Sequence, residues 1–221
     1  MQKVYNAKKS KYVWNFSKLD ITYFEIPKTG SSSTKTVLFR LNYQLAKDSE
    51  LHIGGGQLAK RFPGSIVQNI SANQILGKAL VIYRNPIDRV KSAYRSIFLG
   101  RQKMQGALSE YFDRYHFEYL DSDPNDGLLN HYKPMRWFFP SELLKDHRAV
   151  FVKTSDLDTL PILLGLDMSP ITSGISTIPH LLNVNKKIGA IDMTDDEIRV
   201  ALGREFEDDF AMYEKYSSSV T

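Results

Sequence analysis

Ile21-Thr22-Tyr23-Phe24-Glu25-Ile26-Pro27-Lys28-Thr29-Gly30-Ser31-Ser32-Ser33-Thr34 holds the signature of a strand, a tight loop and a helix start in fourteen consecutive residues. Residues 21–26 are β-branched and aromatic and end at a proline, which predicts a strand. Val37, Leu38, Leu41 and Leu45 then recur at the spacing of one helical face. Between them, one glycine and a run of small hydroxyl residues allow backbone N–H groups to turn inward on an anion. The helix N-terminus behind them adds partial positive charge, and Lys28 adds a full one. A serine-rich surface turn would explain the composition, but not its position between a strand and a helix.

This loop is not a Walker A loop. That motif needs two glycines around four residues, then lysine and serine or threonine. Here the distance from Gly30 to Lys35-Thr36 is one residue short, and the second glycine is missing. The lysine at the anion position precedes the glycine instead. A second buried-type strand, Ala79-Leu80-Val81-Ile82-Tyr83, runs into Arg84-Asn85, where a nucleoside triphosphatase would place a magnesium-binding aspartate.

Arg84 falls at the carboxyl end of that strand, where open α/β sheets bind ligands, and a guanidinium there can hold a phosphate bidentately. Asn85 predicts a helix cap, with Pro86 at the first helical position. Val90, Ala93, Tyr94, Ile97 and Phe98 form the apolar stripe of the helix, and Ser92 lies two turns in as a hydroxyl donor. Arg84 and Ser92 thus predict a second anion site beside the first. Arg84 could instead pair with Asp88, and Arg89 reads as a structural pairing residue.

Working outward, Leu51-His52-Ile53 is a short strand candidate before Gly54-Gly55-Gly56. Residues 107–120 and 128–139 predict aromatic-rich helices, and residues 149–152 a third strand. A short helix is expected over 157–166, irregular chain over 168–192, and a helix over 193–216 opened by a Thr194–Glu197 capping box. Strands alternating with helices predict an α/β fold: a single domain over 1–221 with a mostly parallel central sheet flanked by helices. Residues 1–20, with five lysines in the first eighteen, read as a basic lead-in, and 217–221 as a frayed tail.

The chain has 221 residues, 42% of them hydrophobic and 24% charged, close to a globular average, which excludes disordered and fibrous classes. It contains no cysteine, so a disulfide scaffold, a cysteine–zinc site and a thiol nucleophile are excluded. Lys and Arg total 29 against 25 Asp and Glu, a net charge of +4. That excess suits an anionic ligand and falls short of a dedicated nucleic-acid binder. No apolar window reaches the roughly 18 residues of a membrane span, and no apolar segment follows Met1 as a secretory signal requires. A cytoplasmic location is the expectation. The five histidines have no metal-ligand spacing, so no metal is expected.

Pro27 to Ser33 and Arg84 to Tyr94, in this order, resemble the two nucleotide motifs of sulfotransferases that use 3′-phosphoadenosine 5′-phosphosulfate (PAPS). The likeness is greatest to the Golgi-type carbohydrate sulfotransferases and their bacterial and viral relatives. That family carries a Pro-Lys-(Thr/Ala)-(Gly/Ala)-(Ser/Thr/Gly)-(Ser/Thr)-(Ser/Thr) loop for the 5′-phosphosulfate. Its Arg-(Asp/Asn)-Pro-x-(Asp/Glu)-Arg-x-x-Ser-x-(Tyr/Phe) segment binds the 3′-phosphate. Weaker similarities lie at Leu51-His52-Ile53, at Asn130-His131-Tyr132-Lys133-Pro134-Met135, at Asn183-Val184-Asn185-Lys186 and over 205–216. Golgi members usually have cysteines and a membrane anchor, and this chain shows neither.

The resemblance implies a P-loop-like sulfotransferase fold and metal-free, in-line sulfuryl transfer from PAPS to a hydroxyl. The acceptor would be a carbohydrate or a small molecule, with no nucleic acid as partner. Lys28 would stabilise charge on the leaving phosphate oxygen, and Thr29, Gly30, Ser31, Ser32 and Ser33 would hold the 5′ end. Arg84 and Ser92 would clamp the 3′-phosphate, joined by Lys186, and His131 would reach the acceptor. His52 is the expected general base, its ordinary pKa suiting the task, with Glu50 as the rival on the same strand face. Two other classes stay open: a non-catalytic anion- or nucleic-acid-binding module, and a small-molecule P-loop kinase.

Overall fold

The computed structural model describes residues 13–44, 55–67, 75–96, 106–115, 129–166 and 191–218. The chain gathers into two compact units. One comprises Met1–Tyr83 and Phe138–Leu182, the other Arg84–Trp137 and Asn183–Thr221. Among the described residues, no helix is long and apolar enough to cross a membrane.

The first unit is an α/β layer built on a five-stranded sheet. Its strands are β1 (Val13–Phe16), β2 (Ile21–Phe24), β3 (Ile66–Val67), β4 (Lys78–Tyr83) and β5 (Ala149–Lys153), in the order β3-β1-β2-β4-β5. β2, β4 and β5 run parallel, as the alternation of elements predicts. β1 pairs antiparallel with both β2 and β3, so the sheet is mixed rather than mostly parallel. The cause is the connection: residues 17–20 form a tight turn, too short for anything but an antiparallel return. β1 lies in the stretch read as a basic lead-in, yet Trp14 and Phe16 are fully buried.

Gly77 secures the start of β4. A Cβ at this position would sit 2.1 Å from the backbone oxygen of Asp20, the same oxygen that accepts a 2.9 Å hydrogen bond from Lys78 N–H. Every residue of β2 is buried, Thr22 included, as expected of a strand flanked by neighbours in a covered sheet. Thr22 is satisfied by Asn15 Oδ1 at 2.8 Å. α1 (Ser31–Tyr43) follows β2 and packs Leu38 and Phe39 into the core formed by Trp14, Phe16, Tyr23, Leu80 and Val152. Phe39 meets Trp14, Phe16 and Phe62 with ring centroids 5.0–5.3 Å apart. α2 (Gly55–Arg61) contributes the buried Leu58. A 3₁₀ turn at Thr154–Thr159 leads from β5 into α5 (Leu160–Leu164), where a single helix over 157–166 was expected.

The second unit is helical: α3 (Pro86–Ala93), α4 (Leu108–Tyr115), α6 (Asp195–Leu202) and α7 (Glu207–Ser217). Its core holds Val90, Tyr94, Tyr111, Tyr132, Ile198, Leu202, Phe206 and Phe210. Asn85 caps α3, its side-chain oxygen accepting from Ile87 N–H at 2.9 Å. The capping box at α6 is formed: Glu197 accepts from Thr194 N–H at 2.7 Å, and Thr194 Oγ1 accepts from Glu197 N–H at 3.3 Å. The helix expected over 193–216 is interrupted at Gly203, whose φ of 66° no helix accommodates. The helix expected over 128–139 is instead a pair of 3₁₀ turns, Leu129–His131 and Met135–Phe138, parted by Pro134.

Candidate functional site

The loop after β2 joins a strand to a helix in the order the sequence predicts. Lys28 and Gly30 both take left-handed conformations, with φ of 68° and 86°. For Lys28 that conformation is costly, and it persists only where the surroundings impose it. At Gly30 a Cβ would also lie 2.5 Å from Leu157 Cδ1. Thr29 is fully buried, and its hydroxyl donates to the Ile26 carbonyl at 2.9 Å. Thr29 therefore holds the loop in shape through its side chain, which is spent on the backbone. Ser31 and Ser33 are half-buried and Ser32 is exposed. They form the first turn of a thirteen-residue helix with no acidic side chain there to offset its positive end.

Lys28 and Lys35 have different surroundings. Lys28 sits within the left-handed loop, half-buried. Lys35 lies on α1, where its ammonium donates to Glu25 Oε1 at 2.6 Å. Glu25 in turn accepts from the Trp14 indole N–H at 2.7 Å, so the lysine that a Walker reading would choose is engaged away from the loop.

A residue with no sequence motif ties the loop to the sheet. Thr154, just past β5, shares its one hydroxyl proton between the carbonyls of Thr29, 3.1 Å from Oγ1, and Tyr83, 2.9 Å from it. The Tyr83 carbonyl belongs to the peptide that leads into Arg84. β2 and β4 are parallel neighbours, pairing Phe24 with Val81, so their carboxyl ends leave the same edge of the sheet.

In the second unit, Arg84 immediately precedes the cap of α3 and is half-buried. Burial lowers the pKa of its guanidinium; the Asp88 charge opposes that shift and the Arg95 charge adds to it. Ser92 is half-buried on α3. Arg89 is fully buried and donates to the Lys133 carbonyl at 2.6 Å, the structural role expected of it. Asp209, also fully buried, accepts from the N–H groups of Met135 at 2.6 Å and Arg136 at 2.9 Å. Burial pushes its carboxyl up to about 6, against the pull of these hydrogen bonds and of the Arg89 charge. Asp209 and Thr154 were invisible as site supports in the sequence, since each acts on backbone atoms distant along the chain.

His131 is half-buried at the end of its 3₁₀ turn, beside Tyr132, whose ring stacks on Tyr111 at 4.6 Å. Tyr132, Phe138 and Phe139 are buried, and Trp137 is half-buried. His52, Glu50 and Lys186 lie outside the described residues, as do His116 and His180. Lys28 through Ser33 thus come together on one loop of the first unit, and Arg84 and Ser92 belong to the second. No family model, no curated protein and no solved structure matches the chain.

Proposed function

We propose that the chain is a PAPS-dependent sulfotransferase, with the 5′ end of the nucleotide at Lys28–Ser33 and the 3′-phosphate at Arg84 and Ser92. The observation that carries this reading is the left-handed Lys28–Gly30 loop at the head of an α1 whose first turn holds no acid. The donor set fits the nucleotide: a helix N-terminus and an ammonium for one anionic end, a guanidinium and a hydroxyl for the other. Bound PAPS would supply the activated sulfuryl group. Lys28 would then neutralise charge growing on the leaving phosphate oxygen, while Thr29 keeps the loop closed around it. His52 would take the proton from an acceptor hydroxyl, with Glu50 as the alternative base. The acceptor would be a carbohydrate or a small alcohol, with His131 reaching towards it and Lys186 adding charge at the 3′-phosphate.

The test is calorimetric titration with 3′-phosphoadenosine 5′-phosphate (PAP) in the absence of metal, with AMP and ATP–Mg as comparators. Tight binding of PAP, weakened in Arg84→Ala, supports the reading. Absence of PAP binding, or preference for ATP–Mg, overturns it in favour of an anion-binding module or a kinase.

A further inference from the structure

Arg95 stands just beyond α3, seven residues after Asp88 and three after Ser92. Residues 94–96 continue from Ala93 as a π turn, which keeps Arg95 within a turn of Ser92 along the chain. The Arg95 Nε–H is buried without a hydrogen-bond partner, and among the described residues no carboxylate forms a salt bridge with it. A guanidinium cannot shed its proton, so a desolvated donor of this kind calls for an acceptor. The other cation on this stretch, Lys91, already has one: Asp195 lies 2.5 Å from its ammonium.

Arg84 and Arg95 lie close enough for the charge of one to disfavour the charge of the other. Asp88 is the acid that offsets Arg84, and it is exposed. Two guanidinium groups within electrostatic reach of each other make this stretch locally positive. A phosphate monoester, with close to two negative charges and three acceptor oxygens, would match it.

We propose that Arg95 is a second guanidinium of the phosphate-monoester site at Arg84 and Ser92, and that it sets the preference for a nucleotide bearing that phosphate over one lacking it. This rests on the nucleotide reading above and adds a residue that the motif does not contain. Arg95 acts by direct charge-assisted hydrogen bonding to phosphate oxygens, with Arg84 supplying the fork from the strand end.

The experiment is titration of PAP and AMP into the wild-type chain and into Arg95→Gln, Arg95→Lys and Arg84→Ala, with a thermal melt of each. AMP lacks the 3′-phosphate and reports on the rest of the nucleotide site. Arg95→Gln is expected to lower PAP affinity about ten-fold or more, as loss of a charge-assisted contact does, and to leave AMP affinity unchanged. Arg95→Lys, which keeps the charge without the fork, is expected to fall between. An unchanged PAP-to-AMP ratio in Arg95→Gln, with a reduced ratio in Arg84→Ala, overturns the role of Arg95 alone. Equal loss of both ligands overturns it too, marking Arg95 as structural. Should Arg95→Gln fail to fold, Arg95→Lys decides by the same ratio. A wild-type chain that does not prefer PAP to AMP overturns the nucleotide reading and this proposal together.

Discussion

The hydroxyl of Thr154 donates to the carbonyl oxygen of Thr29 at 3.1 Å, joining residues 125 positions apart. The same hydroxyl lies 2.9 Å from the Tyr83 carbonyl, so one side chain after β5 holds the loop after β2 and the end of β4. Sheet order makes this possible, because β4 lies between β2 and β5 and runs parallel to both. Thr154→Val keeps the shape and removes the donor. The two carbonyls then lose the one proton they share, at a cost of about 1–3 kcal/mol. Urea unfolding should show that loss, and PAP titration should show weaker binding, since the loop is held less firmly. Unchanged PAP affinity in a destabilised variant would separate Thr154 from the nucleotide site.

Gly30 is constrained twice, by its φ of 86° and by Leu157 Cδ1 at 2.5 Å from where a Cβ would stand. The left-handed backbone costs an alanine about 1–2 kcal/mol. The contact with Leu157 adds to this, although a flexible methyl can retreat. Gly30→Ala should therefore lose stability and PAP affinity together. The double variant Gly30→Ala/Leu157→Ala should not recover PAP affinity, because it removes the contact and leaves the backbone strain. Recovery in the double variant would place the constraint in packing rather than in φ.

The two lysines near the loop give opposite expectations. On the proposed reading, in which its ammonium would serve the ligand, Lys28→Met should weaken PAP binding by at least ten-fold. Lys35→Met removes the ammonium that donates to Glu25 and keeps the hydrogen bond from the Trp14 indole. That should lower stability by about 1 kcal/mol, as for a half-buried ion pair, and leave PAP affinity within a few-fold. A kinase of the Walker type would reverse this order, so titration of both variants with PAP and ATP–Mg distinguishes the two chemistries.

Much of this was legible in the sequence, and the parts that were not share a physical cause. β2, β4, β5, α1 and α3 announce themselves through apolar runs and through Pro27, Asn85 and Pro86. β1 was hidden because Val13-Trp14-Asn15-Phe16 follows a lysine-dense stretch. Asn15 also breaks the apolar run, and its use as the acceptor for Thr22 becomes visible only once the strands pair. Residues 129–145 carry helical composition, yet Pro134 and Pro140 shorten each segment to a single 3₁₀ turn. In the candidate site, the loop and Arg84 could be read from motif spacing. Thr154 could not, because its role depends on which strand ends lie side by side.

Asp209 supplies a pH signature for the second unit. Its carboxyl, ordinarily near 3.8, is raised to about 6 by burial among Met135, Arg136 and Arg89. A raised carboxyl binds its proton more tightly in the folded chain than in the unfolded one. Its contribution to stability is therefore full below pH of about 4 and is lost as pH rises through about 6. That displacement corresponds to roughly 3 kcal/mol. Asp209→Asn removes the titration but keeps one acceptor oxygen for two backbone donors, so Met135 or Arg136 N–H loses its partner. The variant should be less stable by about 1–3 kcal/mol in acid, where both side chains are neutral. Between pH 4 and 6 the wild type should lose stability relative to the variant, so the two urea midpoints converge. Midpoints that keep a constant separation across that range would show that Asp209 is already ionised in acid, with Arg89 and the two N–H groups outweighing its burial.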